Sequence, residues 1–456
     1  MDENTRGGKE GSNNGGNIKK NNKNIIKNLQ DRELSSKPHR AFVTATTPHR
    51  FQNMRLSHAL DTHHSKHKSP PSHILPFLMG RTKIVQIAAA KNIVFVLAES
   101  GLCAAFSSET DERICFMNLH SDDLIKSLFY NKNNDSLITV SSRSRMPVEY
   151  RSTRIEYIRR AKPDAGFHLF QSESFVVKFD DVNAKVLTYS AQDSIFKLFD
   201  LKNYNFLYSF SFSNVDRINI SSGIMLFIFK RTSDRIPVKI ISIEDGVVLK
   251  AFSCLHWNRE VDMIVLCNEK LLVKQDNVNL QIFDLPSSKI MAAVRRTEFM
   301  NPSRFIFLRK KQLFLTLKNQ TISVWNFRGE LVTSLEDHFL RHPLWHPDFK
   351  NNNYITSDQN LIISYCRDDS EDQSMVTNAV GSINVSNILS GKCVAKINAA
   401  KALECIDPSK KMSVTEALEG ITTLYYDEER NAIYTGNKHG HAHVWSNSNQ
   451  LMIKKE

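Results

Sequence analysis

The stretch TISVWNFRGELVTSLEDH, Thr321 to His338, reads as a strand ending on Trp325, a turn, and a second strand. Whether that Trp belongs to a chemical site or to a repeating scaffold decides what kind of molecule this is. Working back along the chain, the same texture returns in LQIFDLPSSKIMAAV from Leu280, PVKIISIEDGVVLKAF from Pro237 and IFKLFDLKNYNFLYSF from Ile195. In each, an alternating strand ends on a large apolar anchor. A small or polar residue and an apolar one follow, then a turn and another strand. The anchors are Phe199, Ile241, Phe283 and Trp325, each 42 residues from the next. That period is the length of a four-stranded propeller blade. Trp325 is one tooth of a repeat.

Further copies extend the register. Ser386 in GSINVSNILSGKCVAKI, Trp445 in GHAHVWSN and Phe106 in GLCAAFSSETDERICFM occupy the anchor position, and Tyr157 lies one period before Phe199 with a longer turn. Strands such as KVLTYSAQD, KLLVKQDN, QLFLTLKN, LIISYCRDD and AIYTGNKHG recur ahead of the anchors. The spacing therefore predicts an all-β propeller of eight four-stranded blades, or seven if the Tyr157 unit is an elaboration. One blade alone cannot bury both faces of its small sheet, whereas radial stacking buries every face and leaves short edges. Little chain follows Trp445. Either NQLMIKK supplies the last outer strand, or the segment around ILPFLMGRTK closes the ring from the N-terminal side.

Composition agrees with such a body. Of 456 residues, 41% are hydrophobic and 24% charged, and the most apolar run, IMLFIFK from Ile224, is strand-sized, so no membrane span is expected. Residues 1–80 hold 13 Lys/Arg against 6 Asp/Glu, and the remaining chain 47 against 42. The basic character thus belongs mainly to residues 1–78, a tail rich in Asn, Gly, Ser, Lys and His that is expected to stay disordered. Residues 79–456 are expected to form the propeller. Within the tail, KKNNKNIIK from Lys19 reads as a solvated linker more than as an import signal, and His63, His64 and His67 read as a polar tract more than as metal ligands. Thr47-Pro48 and Ser69-Pro70 are candidate phosphate acceptors. The seven cysteines form no Cys-x-x-Cys pair, which points to a reducing compartment, cytosol or nucleus, and to no zinc cage.

The VWN and VWS strand ends, the FDL variants and the period together resemble the WD-repeat, or transducin-like, family over roughly residues 83–450. Longer runs, FDDVNAKVLTYSAQDS, VWNFRGELVTSLEDH, YITSDQNLIISYC and YDEERNAIYTG, are similar to a group of plant WD-repeat proteins. The resemblance implies a non-enzymatic interaction scaffold, monomeric within a complex. It also departs from the family: the Gly-His pair that opens a repeat is nearly absent, and the family's Asp survives only at Asp200 and Asp284. Apolar packing is therefore expected to replace most of the family's buried polar networks.

Sites that carry chemistry are sparse. His342, His346 and Asp348 in HPLWHPDF read as an irregular blade connection, and His439, His441 and His443 as polar residues near a strand end. No phosphate loop, nucleophile elbow or His-Glu-x-x-His is present, so no catalytic residue, cofactor or metal is expected. Departures from the period say more, because insertions on a rigid scaffold carry recognition. Intervals of 51, 61 and 59 residues precede Tyr157, Ser386 and Trp445. The first holds Arg143, Arg145, Arg151 and Arg154, followed by Arg159 and Arg160, a set suited to gripping carboxylates or phosphates. The second, Asp368 to Asp372, is acidic, and the third, AAKALECIDPSKKMSVTEALEG, is expected to include a helical turn. Asn326 and Arg328 in VWNFR stand where WD-repeat substrate receptors of cullin-type ubiquitin ligases carry Asp and Arg, with Asn replacing the Asp. Three partner classes follow: acidic proteins, a ubiquitin-ligase adaptor, and nucleic acid held by the tail and the Arg-rich insertion.

Overall fold

The computed structural model describes residues 47–62, 80–120, 122–143, 148–172, 175–181, 183–190, 194–221, 223–230, 235–256, 261–267, 269–275, 280–284, 290–294, 304–318, 321–335, 352–366, 380–399 and 414–447. The chain divides into residues 1–49, of which only the start of the helix Thr47–Gln52 is described, and residues 50–456. The second unit is an all-β ring of eight four-stranded antiparallel blades. Blades 1 to 7 span 84–116, 124–172, 175–211, 215–256, 261–294, 304–334 and 353–397, and each runs in chain order from its inner to its outer strand. Blade 8 takes its inner three strands from 421–447 and its outer strand, Met54–Leu60, from the other end of the chain.

That outer strand closes the ring, in register from Met54 opposite Asn447 to Leu60 opposite Ala442. Closure does come from the N-terminal side, but through a segment assigned to the tail when the sequence is read alone. Residues 50–62 belong to the ring. The physical reason for the misreading is that an outer strand covers one face only. Met54 and Leu60 are buried, while Arg55, Ser57, His58 and Ala59 are partly or fully exposed, so MRLSHAL shows no sustained apolar run. The carbonyl of Arg50 accepts from Nδ2 of Asn431 (2.9 Å) and of Asn447 (3.2 Å), which pins the start of the segment to blade 8. Across the seam, His58 Nε2 lies 3.2 Å from Asp111 and Arg113 donates to the Asp61 carbonyl at 3.0 Å, so the segment also grips blade 1. NQLMIKK and residues 63–79 lie outside the described residues.

The core sits between blades. Phe196 and Leu198 of blade 3, for example, pack on Met225, Phe227, Ile241 and Ile243 of blade 4, all fully buried. Each such side chain contributes roughly 1.5–3 kcal/mol on burial. The anchors Phe106, Phe199, Ile241, Phe283, Trp325, Ser386 and Trp445 all fall on third strands, opposite the second residue of the second strand. Tyr157 does not. It lies on the short helix Ile155–Arg159 with 37% of its surface exposed. In blade 2 the anchor register belongs to Thr153, opposite Leu137, because this third strand runs straight into an inserted helix before the outer strand begins at Phe167.

Candidate interaction surface

The repeated motif of anchor, polar residue and apolar residue is explained by the turn that follows it. The polar residue caps the turn. Asp200 Oδ1 accepts from the Lys202 amide at 2.7 Å, Asn326 Oδ1 from the Arg328 and Glu330 amides at 2.9 and 3.0 Å, and Asn387 Oδ1 from the Leu389 and Ser390 amides at 3.0 and 2.9 Å. Short oxygen-bearing side chains do this well. The apolar residue is a buried plug: Leu201, Ile243, Phe327 and Ile388. In blades 3, 4 and 7 the plug's amide also bonds back to the first turn of its own blade, at the carbonyls of Ala184, Gly223 and Asn360. The turn closes on a left-handed residue, Asp111, Tyr204, Gly246, Gly329 or Gly391. At Gly246 an added Cβ would lie 2.7 Å from the Tyr208 ring of the neighbouring blade, so a glycine is needed there for space as well as for φ.

Every blade carries a β-bulge on its outer strand, and in blades 1, 3, 4, 6 and 7 it follows directly on the turn. The extra residue is Ile114, Leu169, Leu207, Leu249, Met291, Val332, Val394 and, on the closing strand, Ser57. Seven of the eight are apolar. A bulge re-aims a side chain and bends an outer edge away from unwanted pairing. Ile114, Leu169 and Val394 turn partly into the ring, whereas Leu207 (38% exposed), Leu249 (56%) and Val332 (40%) turn out to solvent. The residues just before them, Phe206, Val248 and Leu331, are exposed as well.

Blade 2 places the arginines in two groups. Arg143 lies on the rim of the second turn, 3.8 Å from Glu149, which also pairs with His168. Arg154 lies at the far end of the seven-residue strand Val148–Arg154, about 20 Å away at the usual rise per residue. Arg151 folds inward and donates to the carbonyls of Asp164 (2.5 Å) and Gly166 (3.3 Å), so it holds the insertion in place. Arg160 pairs with Glu156, while Arg154 and Arg159 are exposed. Arg145 lies outside the described residues, as do His342, His346, Asp348 and the acidic segment 367–379. Asn326 is a turn cap, and Arg328 on the same turn is exposed.

The remaining candidates have structural surroundings. His439 sits beside Glu419 at 3.5 Å, His441 contacts Arg81 at 3.1 Å, and only His443 lies on the strand Ala442–Asn447. Burial, with His441 adding to it, pushes the His443 imidazole down to about 4. Among the described residues no three His, Cys, Asp or Glu side chains converge as metal ligands. Asp200 and Asp284 serve their own blades, the first as a turn cap and the second as the partner of Lys270. Trp325 and Trp445 each donate through Nε1 to a buried threonine, Thr316 at 2.8 Å and Thr435 at 2.9 Å. The third insertion carries the helical turn that its sequence suggested, over 414–418. Among the described residues no helix is long and apolar enough to cross a membrane.

With blade, turn and bulge in place, comparison with known proteins becomes informative. A family model described as a domain of unknown function (DUF7899) matches residues 39–445, which include the closing strand, blades 1 to 7 and blade 8 as far as Trp445. The chain belongs to the DUF7899 family. No curated protein matches it. Among solved structures, the computationally designed Ika8 protein is similar with a TM-score of 0.50 and 17% identity, over 80% of this chain and 96% of that one. BamB from Moraxella catarrhalis has a TM-score of 0.42 and 11% identity, over 79% and 94%. At 17% identity the likeness to the designed protein concerns fold alone.

Proposed function

We propose that this DUF7899 chain is a non-enzymatic protein-interaction scaffold of the cytosol or nucleus, related in design to WD-repeat propellers. The observation that carries the reading is the outer rim of blades 3, 4 and 6, where an apolar pair turns out to solvent at one structural position. Scattered exposed apolar residues need no explanation. Recurrence on a bulge, beside turns capped and plugged from below, presents a preformed surface that a partner meets at little ordering cost. The WD-repeat relation is supported by the period and the two Trp to Thr hydrogen bonds. The compartment is supported by the free thiols of Cys103, Cys115, Cys267, Cys366 and Cys393.

The test is site-specific photocrosslinking of the full chain in cells, with the photoreactive residue at position 249 or 332, and at exposed Lys132 as control. Discrete protein adducts at 249 and 332, absent at 132, are expected. Equal labelling at all three positions would sink the scaffold reading. The ligase-receptor reading is favoured by one observation, the exposure of Arg328 on its capped turn. It requires co-purification of a cullin adaptor that Arg328→Ala abolishes, and an unchanged adaptor yield from that variant removes it.

A further inference from the structure

Three neighbouring blades share more than the common rim. The insertion in blade 2 exposes Arg154, Tyr157, Arg159 and Lys162, and among the described residues the three cations have no ion pair or side-chain hydrogen bond. From there an exposed apolar track continues across two blade boundaries. Phe167 (51% exposed) meets the Tyr204 ring edge-on at 5.7 Å, at the end of the turn in blade 3. Two residues later stand Phe206 and Leu207, with Phe206 edge-on to Phe199 at 5.8 Å. Tyr208 then donates to the Ile243 carbonyl of blade 4 at 2.8 Å, beside the turn that leads into Val247, Val248 and Leu249. The far end carries the opposite charge, exposed Asp245 and Glu244, the latter 3.9 Å from Lys185.

We propose that this track across blades 2 to 4 is a docking site for a partner-protein segment in which an acidic run adjoins several apolar side chains. The proposal rests on the scaffold reading. Charge complementarity selects the occupant and its direction. The carboxylates meet Arg154, Arg159 and Lys162, and the apolar side chains meet Phe206–Leu207 and Val247–Leu249. Glu244 and Asp245 repel the acidic run from the other end. An apolar segment without acidic residues would leave the cations of the insertion unmatched. Nucleic acid would stack on the exposed Phe167 and Phe206, but the aliphatic Leu207, Val247, Val248 and Leu249 offer it no such face and the carboxylates of blade 4 repel it.

The purified full chain is used to select from a displayed random-peptide library, and the most enriched sequence is synthesised and titrated by fluorescence anisotropy. The expected sequence joins acidic and apolar residues. Leu207→Asp with Leu249→Asp should weaken it by about thirtyfold or more, as central contacts of an interface do. Arg154→Glu with Arg159→Glu should weaken it on the order of tenfold and flatten its salt dependence. Leu389→Asp, on the exposed turn of blade 7, should leave it unchanged. Unaltered circular dichroism and melting curves establish that each variant is folded. Selection of basic or wholly polar peptides, failure to enrich any peptide, or binding indifferent to Leu207→Asp with Leu249→Asp would overturn the proposal. A full-chain dimer that Leu207→Asp dissociates would assign the track to a second copy and overturn it as well. Discrete adducts at position 249 that survive Leu207→Asp and Arg154→Glu with Arg159→Glu would end the docking proposal while leaving the scaffold reading intact. Absence of discrete adducts at both 249 and 332 in the chain without further substitutions would end both.

Discussion

Blades 6 and 2 hold the same radial position by different means. In blade 6 a single large side chain does it: Trp325 is 1% exposed, and its one polar atom is satisfied by Thr316 on the adjacent strand. In blade 2 the position falls to Thr153, and the neighbouring blade supplies what is missing. Tyr204 of blade 3 reaches in with its hydroxyl 3.1 Å from Asn131 Nδ2, 3.0 Å from Ser136 Oγ and 2.9 Å from Ser152 Oγ, all three residues being buried. To do so it takes φ +61°, at the turn position where blades 4 and 7 use glycine. A bulky residue there costs on the order of 1–3 kcal/mol. The apolar solution packs Trp325 against Leu272, Leu280 and Ile282 of blade 5 and keeps its one hydrogen bond within blade 6, whereas the polar solution carries its hydrogen bonds across the blade boundary.

The sharpest way to break that contrast is Trp325→Ala, which should lower stability by about 3–5 kcal/mol and shift the denaturant midpoint, with no repair from a neighbouring blade. Blade 8 offers a third case, since it keeps a Trp to Thr pair but carries buried His443 on the same strand. Its imidazole, pushed down to about 4 from an ordinary value near 6.5, stays neutral in the folded ring while the unfolded chain binds a proton. Stability from this group is present above pH 6.5 and is lost as pH falls towards 4, by up to about 3 kcal/mol. Denaturation at pH 7 and 4.5 should show that loss in the parent and a smaller one in His443→Asn. Next comes Tyr204→Phe, expected to cost about 1 kcal/mol by removing hydrogen bonds across the blade boundary, while Asn131 keeps the Leu201 carbonyl and Ser136 and Ser152 keep each other. Hydrogen exchange should rise in blades 2 and 3 and not in blade 6. Leu207→Ser should sharpen the distinction between surface and core, with a stability change within about 0.5 kcal/mol by thermal melting.

The period was legible because the features that recur in sequence are the ones that build the turn: an anchor under the bulge, an oxygen to cap and an apolar plug. Where a blade departs from that recipe, counting residues fails. Tyr157 kept the interval and lost the role, since an inserted helix absorbed the intervening residues. The closing strand was hidden for a different reason, because a one-sided strand looks like polar linker. On the interaction surface, Arg143 and Arg154 are close in sequence, but a strand carries them to opposite rims. Leu207, Leu249 and Met291 recur every 42 residues and could have been noticed. The exposure of Leu207 and Leu249 could not, because periodicity locates a residue without saying whether a bulge turns it outward.

Closure by Met54–Leu60 also sets an order of events. The strand that completes the ring leaves the ribosome before any blade, and its partner strand leaves after the other seven blades are made. Arg50 and the Asn447 that grips it are 397 residues apart along the chain. Joining ends that far apart in a disordered chain would cost about 5 kcal/mol of entropy, a term that shrinks as intervening blades fold and bring the two ends together. Until then the third strand of blade 8 has no partner on its outer side, and the apolar faces of Met54 and Leu60 have nowhere to go. Translation that stalls before Trp445 would therefore leave a nascent ring open at one seam, a state suited to recognition by chaperones.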